Sequence, residues 1–174
     1  MIKKVIVFGL ATGFINLILG YTTSLFWIED MDFSTGEIMG YVSMLLALTM
    51  VFVGVMNYRN TVLNGSISFG KALGIGTLIV LIASVVYVIG WMLYYTYYMP
   101  DFPEKFLAYS IEQINNSGDY TPEQKKAQIE SMKSWMASYK NPWIMMAFTF
   151  LEFFPVGFLV ALLSAWLLSR KNLI

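Results

Sequence analysis

The sequence predicts an all-α integral membrane protein, a four-helix bundle with an extracytoplasmic helical hairpin between spans three and four. Two observations carry this. Four long apolar runs, roughly 5–28, 38–58, 72–98 and 143–168, hold a single charged residue, Glu152. Only 13% of the 174 residues are charged and the mean hydropathy is +0.63, whereas soluble domains carry about 25% charged residues.

Each run is long enough to cross a bilayer as a helix, which takes about 20 apolar residues. Backbone groups in hydrocarbon need internal partners, and runs of this length do not fit barrel strands, so helices remain. Four spans and one sizeable loop use up residues 1–174, which are read as a single membrane domain. The first run follows Lys3 and Lys4 and lacks a small-residue cleavage pattern at its end. It is read as a retained span rather than a secretory leader.

Charge then sets orientation. Lys3, Lys4, Arg59, Lys71, Arg170 and Lys171 fall on one side with no acidic residue among them. The first loop, on the other side, holds Glu29, Asp30, Asp32 and Glu37 and no basic residue. The positive-inside rule places both termini in the cytoplasm and loop 99–142 outside. Trp27, Trp91 with Tyr94, Tyr95, Tyr97 and Tyr98, and Trp143 are read as the outer aromatic belt. Trp166 marks the inner one.

Small residues recur at helical spacing. Span one carries Gly9-x-x-x-Gly13, then Asn16 and Gly20; span two Gly40, Ser43, Ala47 and Gly54. Span three has Gly70, Gly74, Thr77 and Ser84, and span four Gly157, Ala161 and Ala165. Such faces allow close helix approach in lipid. They fit packing within one chain or a homo-oligomer, and spacing does not separate the two.

Loop 99–142 reads as two helices. The first runs from about Pro103 to Asn115, with Leu107, Ile111 and Ile114 on one side. A turn at Asn116–Tyr120 precedes a helix started by Thr121 as N-cap, Pro122 at the first position and Gln124 as capping-box partner. Met132, Trp135, Met136 and Tyr139 form one stripe, and Lys126 with Glu130 an i,i+4 pair. Asn141-Pro142 ends this helix and starts span four. The hairpin is read as an ordinary cap, or as a lid or a docking surface for a periplasmic or membrane partner.

With no Cys and no His, thiolate nucleophiles, His-based triads and Cys/His metal sites are excluded. No cofactor and no metal are expected, zero net charge gives no reason to expect nucleic acid, and the chain is not read as an enzyme. Gly65 to Ala72 nearly spells a phosphate-binding loop, but Ala72 stands where magnesium needs Ser or Thr. A turn at Asn64-Gly65 and a helix capped by Ser68 fit better. Arg59 and Lys71 are candidate contacts for lipid headgroups. Glu29, Asp30 and Asp32 lack calcium-loop spacing.

Glu152 is the main candidate site. It lies nine residues along from Trp143, roughly 14 Å into the membrane, where a charge costs at least about 2.5–3.5 kcal/mol. By depth its possible partners are Asn16, Thr49, Ser84 and Tyr87. Pro155 and Gly157 follow and are expected to loosen the helix. The carboxyl is either a titrating group beside a kink or a hydrogen-bonding link between helices.

These motifs give a resemblance. Gly40-Tyr41, Tyr58-Arg59, Gly65-x-Ile-Ser-Phe-Gly70-Lys71-Ala72, Tyr94-Tyr95 with Asp101-Phe102, and Glu152-Phe-Phe-Pro155-Val-Gly157 occur in an order that resembles the four-span bacterial membrane proteins of domain of unknown function 4199. The resemblance covers nearly the whole chain. It implies a Gram-negative inner-membrane protein and brings no activity with it. Residues and resemblance together favour a non-enzymatic helical scaffold or accessory protein. The alternative is a small proton-coupled transporter or channel subunit using Glu152.

Overall fold

The computed structural model describes residues 2–26 and 33–170. These form six helices: α1 Ile2–Ser24, α2 Phe33–Val62, α3 Phe69–Tyr97, α4 Phe102–Asn116, α5 Pro122–Tyr139 and α6 Pro142–Ser169. No strand occurs among the described residues. α1, α2, α3 and α6 are long and apolar enough to cross a membrane.

The helix bounds differ from the apolar runs by a few residues throughout, and two of the differences bear on the site. α1 stops at Ser24 and passes into a turn at Leu25 and Phe26. α2 begins at Phe33, which brings Glu37 into the helix instead of a loop. A helix can extend past the apolar stretch into the interfacial layer, where polar residues are solvated. The expectations for Trp27, Glu29, Asp30, Asp32 and Lys171 fall outside the described residues.

The four long helices pack side by side. α3 meets α1, α2 and α6; α2 meets α1 and α6. α1 and α6 therefore occupy opposite corners. Their shared core holds Leu48, Val51, Val55, Ile79, Val80, Ala83, Phe153 and Ala161, nearly all without accessible surface. The outer faces carry Phe14, Leu45, Leu78, Leu151 and Leu163, all exposed. A helix apolar on every side is the pattern for burial or lipid.

Glycines allow the close approaches. A methyl group at Gly9 would meet Ile82 Cβ at 2.6 Å, and one at Gly13 would meet Val86 Cβ at 2.6 Å. The Gly9-x-x-x-Gly13 face therefore packs on α3. Gly76 faces Ala161, while Gly157 faces Val80 and Leu48. Gly20, Gly40, Gly70 and Gly74 have nothing within 4 Å of a would-be Cβ, so the small-residue faces are used only in part. α6 runs unbroken through Pro155.

The short connection between α2 and α3 turns at Asn64 and Gly65, with φ of 53° and 91°. Gly65 suits a left-handed turn because it has no Cβ. Ser68 is the N-cap of α3, though its hydroxyl makes no capping bond. The Lys4 ammonium reaches Asn57 and Thr61, fixing the start of α1 beside the end of α2.

Between α3 and α6, α4 and α5 pack on each other. Thr121 and Gln124 form the expected capping box, and Asn141 Oδ1 accepts from the Trp143 N–H at 3.0 Å. Lys140 bonds Glu104 at 2.6 Å, and Lys125 donates to the Asn115 carbonyl at 2.6 Å. The expected Lys126–Glu130 pair does not form. Among the described residues the side-chain ion pairs are Lys105–Asp101 and Lys140–Glu104. On the α5 stripe, Met136 and Tyr139 are buried and pack with Met145, Trp91, Tyr95 and Phe106.

Candidate functional site

Helix spacing assembles the site. Glu152 and Thr149 are three residues apart on α6; Glu37, Tyr41 and Met44 fall on one face of α2 by the 3.6-residue period. All of them line one cavity of about 1220 Å3, together with Asn16 of α1 and Tyr87 of α3. α4 and α5 contribute Phe106 and Tyr139. The cavity occupies the half of the molecule nearer α4 and α5. Beyond Glu152 the helices close into the solid layer of Leu48, Val80, Ala83 and Phe153, each 0% exposed.

Four of the residues tied to Glu152 by depth separate cleanly. Asn16 and Tyr87 line the same cavity as the carboxyl. Tyr87 also packs on Phe153, with ring centroids 5.0 Å apart. Thr49 does not join them. It is exposed on the outer face of α2, and its hydroxyl donates to the Leu46 carbonyl at 2.6 Å. Ser84 is fully buried but donates to the Val80 carbonyl of its own helix at 2.8 Å. Depth gives a level along a helix, not a direction around it.

Glu37 is the residue that sequence reasoning missed. Grouping it with the acidic loop hid its place one turn before Tyr41 on the cavity face. Both carboxyls border the same cavity. Glu152 is open to the cavity space rather than sealed among neighbours. The described residues offer no side-chain bond to it. Gly157 sits in the closed layer below, packed on Val80 and Leu48, and Pro155 is exposed on α6.

An aromatic network surrounds the upper part of the cavity. The Tyr94 hydroxyl donates to Ser24 Oγ at 2.9 Å, and the Trp91 indole donates to the Tyr139 hydroxyl at 2.9 Å. Burial pushes the Tyr139 phenol up, and the bond from Trp91 opposes the shift. Phe33 packs against Phe102 and Phe106 at 5.8 and 5.4 Å. Trp91 and Tyr94 thus turn inward instead of forming a belt, whereas Tyr97, Tyr98, Trp143 and Trp166 are exposed.

The basic residues lie elsewhere. Arg59 is 5% exposed, with Nε donating to Asn60 at 2.9 Å, which leaves little of it to meet a headgroup. Lys71 is exposed at the start of α3. Among the described residues no group of three or more carboxylates or other metal ligands gathers.

Four helices long and apolar enough to cross a membrane mark the chain as a multi-pass membrane protein. Residues 7–170 match the family described as protein of unknown function DUF4199, and the chain belongs to that family. No curated protein and no solved structure matches it significantly.

Proposed function

We propose that the protein is a non-enzymatic integral membrane protein of the bacterial inner membrane that works by binding, as an accessory or scaffold subunit with the cavity at its functional centre. The observation that carries this reading is the cavity itself. All six helices line it, and it is larger than the 300–1,000 Å3 or so of an ordinary ligand pocket. Among its polar groups, Asn16, Glu37, Thr149 and Glu152 come from three different helices and sit within largely apolar walls. That is the usual composition of a binding pocket.

In this reading α1, α2, α3 and α6 are a transmembrane bundle with cytoplasmic termini, and α4 with α5 is an extracytoplasmic hairpin. Gentle extraction followed by native mass spectrometry tests it. The expected result is the protein with a bound small molecule, lipid or companion protein. Recovery of bare chain alone, with nothing in the cavity, would count against it.

One observation favours a second reading, a proton-coupled transporter or channel subunit. Glu37 and Glu152 share the cavity, and intramembrane carboxyls commonly serve proton relays. Glu152→Gln separates the two. Binding without transport predicts the same proton permeability of liposomes for both forms. Loss of a proton-linked flux in a normally folded variant supports transport.

A further inference from the structure

The charge and walls of the cavity point to one chemical class of ligand. Two carboxyls, Glu37 and Glu152, border it, and no Lys or Arg does so among the described residues. Lys3, Lys4, Arg59 and Lys71 of the long helices, and Arg170 just after α6, lie toward the helix ends remote from the cavity, and Lys105 and Lys140 are paired with Asp101 and Glu104. Glu152 lies deep in the bundle, where a carboxylate in a low-dielectric setting calls for a counter-charge. Among the described residues lining the cavity there is none.

The walls supply something else. Half of the residues lining the cavity are aromatic, including Tyr41, Tyr87, Trp91 and Tyr94. Aromatic faces carry negative electrostatic potential, and cages of them attract organic cations. Trp91 and Tyr94 are already held in place, by Tyr139 and Ser24, so the rings need little ordering when a ligand arrives. A volume of about 1220 Å3 exceeds the needs of a bare metal ion. Hard cations also want a shell of six to eight oxygens, which a wall of rings does not provide.

We infer that the cavity binds a lipophilic organic cation, an amine or onium ion with an apolar body. Its charge lies between Glu37 and Glu152 and its body against the Tyr and Trp rings. This rests on the reading of the cavity as a binding site and adds the ligand class.

The test uses the full chain in phosphatidylcholine nanodiscs, with empty nanodiscs as the partition control. Tetraphenylphosphonium and tetraphenylborate have the same shape and opposite charge. Titration followed by tryptophan quenching and calorimetry is expected to give saturable binding of the phosphonium, at least tenfold tighter than the borate. Glu37→Gln with Glu152→Gln should abolish that preference, and Glu152→Asp should retain it. Tyr41→Leu, at an exposed position of the cavity wall, should weaken the cation several-fold and leave the borate unchanged. Variants are compared at matched size-exclusion profiles.

Equal affinity for the two ions, or a preference that survives the double variant, overturns the ligand class. So does native mass spectrometry that finds a lipid in the cavity which the phosphonium does not displace. In each of these cases something still binds, and the reading of a binding protein stands. A cavity that holds neither ion, nor lipid, nor any copurified molecule removes both.

Discussion

At the residue scale, the deepest carboxyl was legible and its surroundings were only half so. Glu152 stands out because nothing else charged interrupts the four runs. Asn16 and Tyr87 share its cavity because their level and their face both agree. Thr49 and Ser84 match in level alone, and their hydroxyls turn back to Leu46 and Val80. The Glu37–Tyr41–Met44 spacing held the missing direction, concealed by the acidic neighbours of Glu37. Two substitutions probe this scale. A methyl group at position 157 would lie 2.5 Å from Val80 Cγ1, so Gly157→Ala should cost about 1–3 kcal/mol through overpacking. Gly40→Ala meets nothing within 4 Å and should not destabilise, since alanine is the better helix former. Denaturation of both in mixed micelles compares them directly. Tyr139→Phe removes the acceptor of the Trp91 indole and should cost about 1 kcal/mol, seen as a lower midpoint and a shifted tryptophan emission.

At the element scale, local rules performed best where polar signals are dense. The Thr121–Gln124 box, the Asn141 cap and the Asn64-Gly65 turn all formed as their residue types dictate. Helix ends within apolar stretches were read less well, because hydropathy reports where lipid is tolerated rather than where hydrogen bonding stops. The expected Lys126–Glu130 pair illustrates a further limit of spacing. An exposed pair of this kind is worth about 0.3–0.5 kcal/mol, and Lys126–Glu130 has the weaker order with the base first, whereas Asp101–Lys105, with the acid first, forms. Thr121→Ala should destabilise α5 by about 1 kcal/mol, measured as faster amide exchange in its first turn.

The contact between α4 and α5 has a pH signature. The Lys140 ammonium beside Glu104 holds its carboxyl below the usual carboxylate range, and Lys105 does the same for Asp101. Groups lowered in the folded state contribute stability that is present above their unfolded values. That contribution disappears as pH falls through the lowered folded values. Amide protection factors in residues 100–141, corrected for the intrinsic pH dependence of exchange, should therefore be flat from pH 7 to about 5 and fall only below about pH 4. Glu104→Gln should remove its share of that acid step.

At the scale of the whole molecule, orientation is the first thing to measure. A reporter inserted after Asn116 is expected to be active only outside the cytoplasm, and activity inside would reverse the proposed topology. The tight packing of α3 against its three long neighbours was foreshadowed by glycine spacing. That the same helices part around Glu152 was not, because a void leaves no residue pattern of its own. Gly20 and Gly40, which also invite close approach by spacing, instead border the opening. A missing side chain can serve a contact or a hollow, and only the fold decides which.

The layer formed by Leu48, Val80, Ala83 and Phe153 gives the molecule a floor. In this conformation the hollow stops at that layer and does not continue past it. Cargo loaded from one face of a vesicle should accordingly be released to that same face. Delivery across the bilayer would require Gly157 to slide off Val80 and Leu48, and a crosslink pinning α6 to α3 at that height would stop delivery while sparing capture.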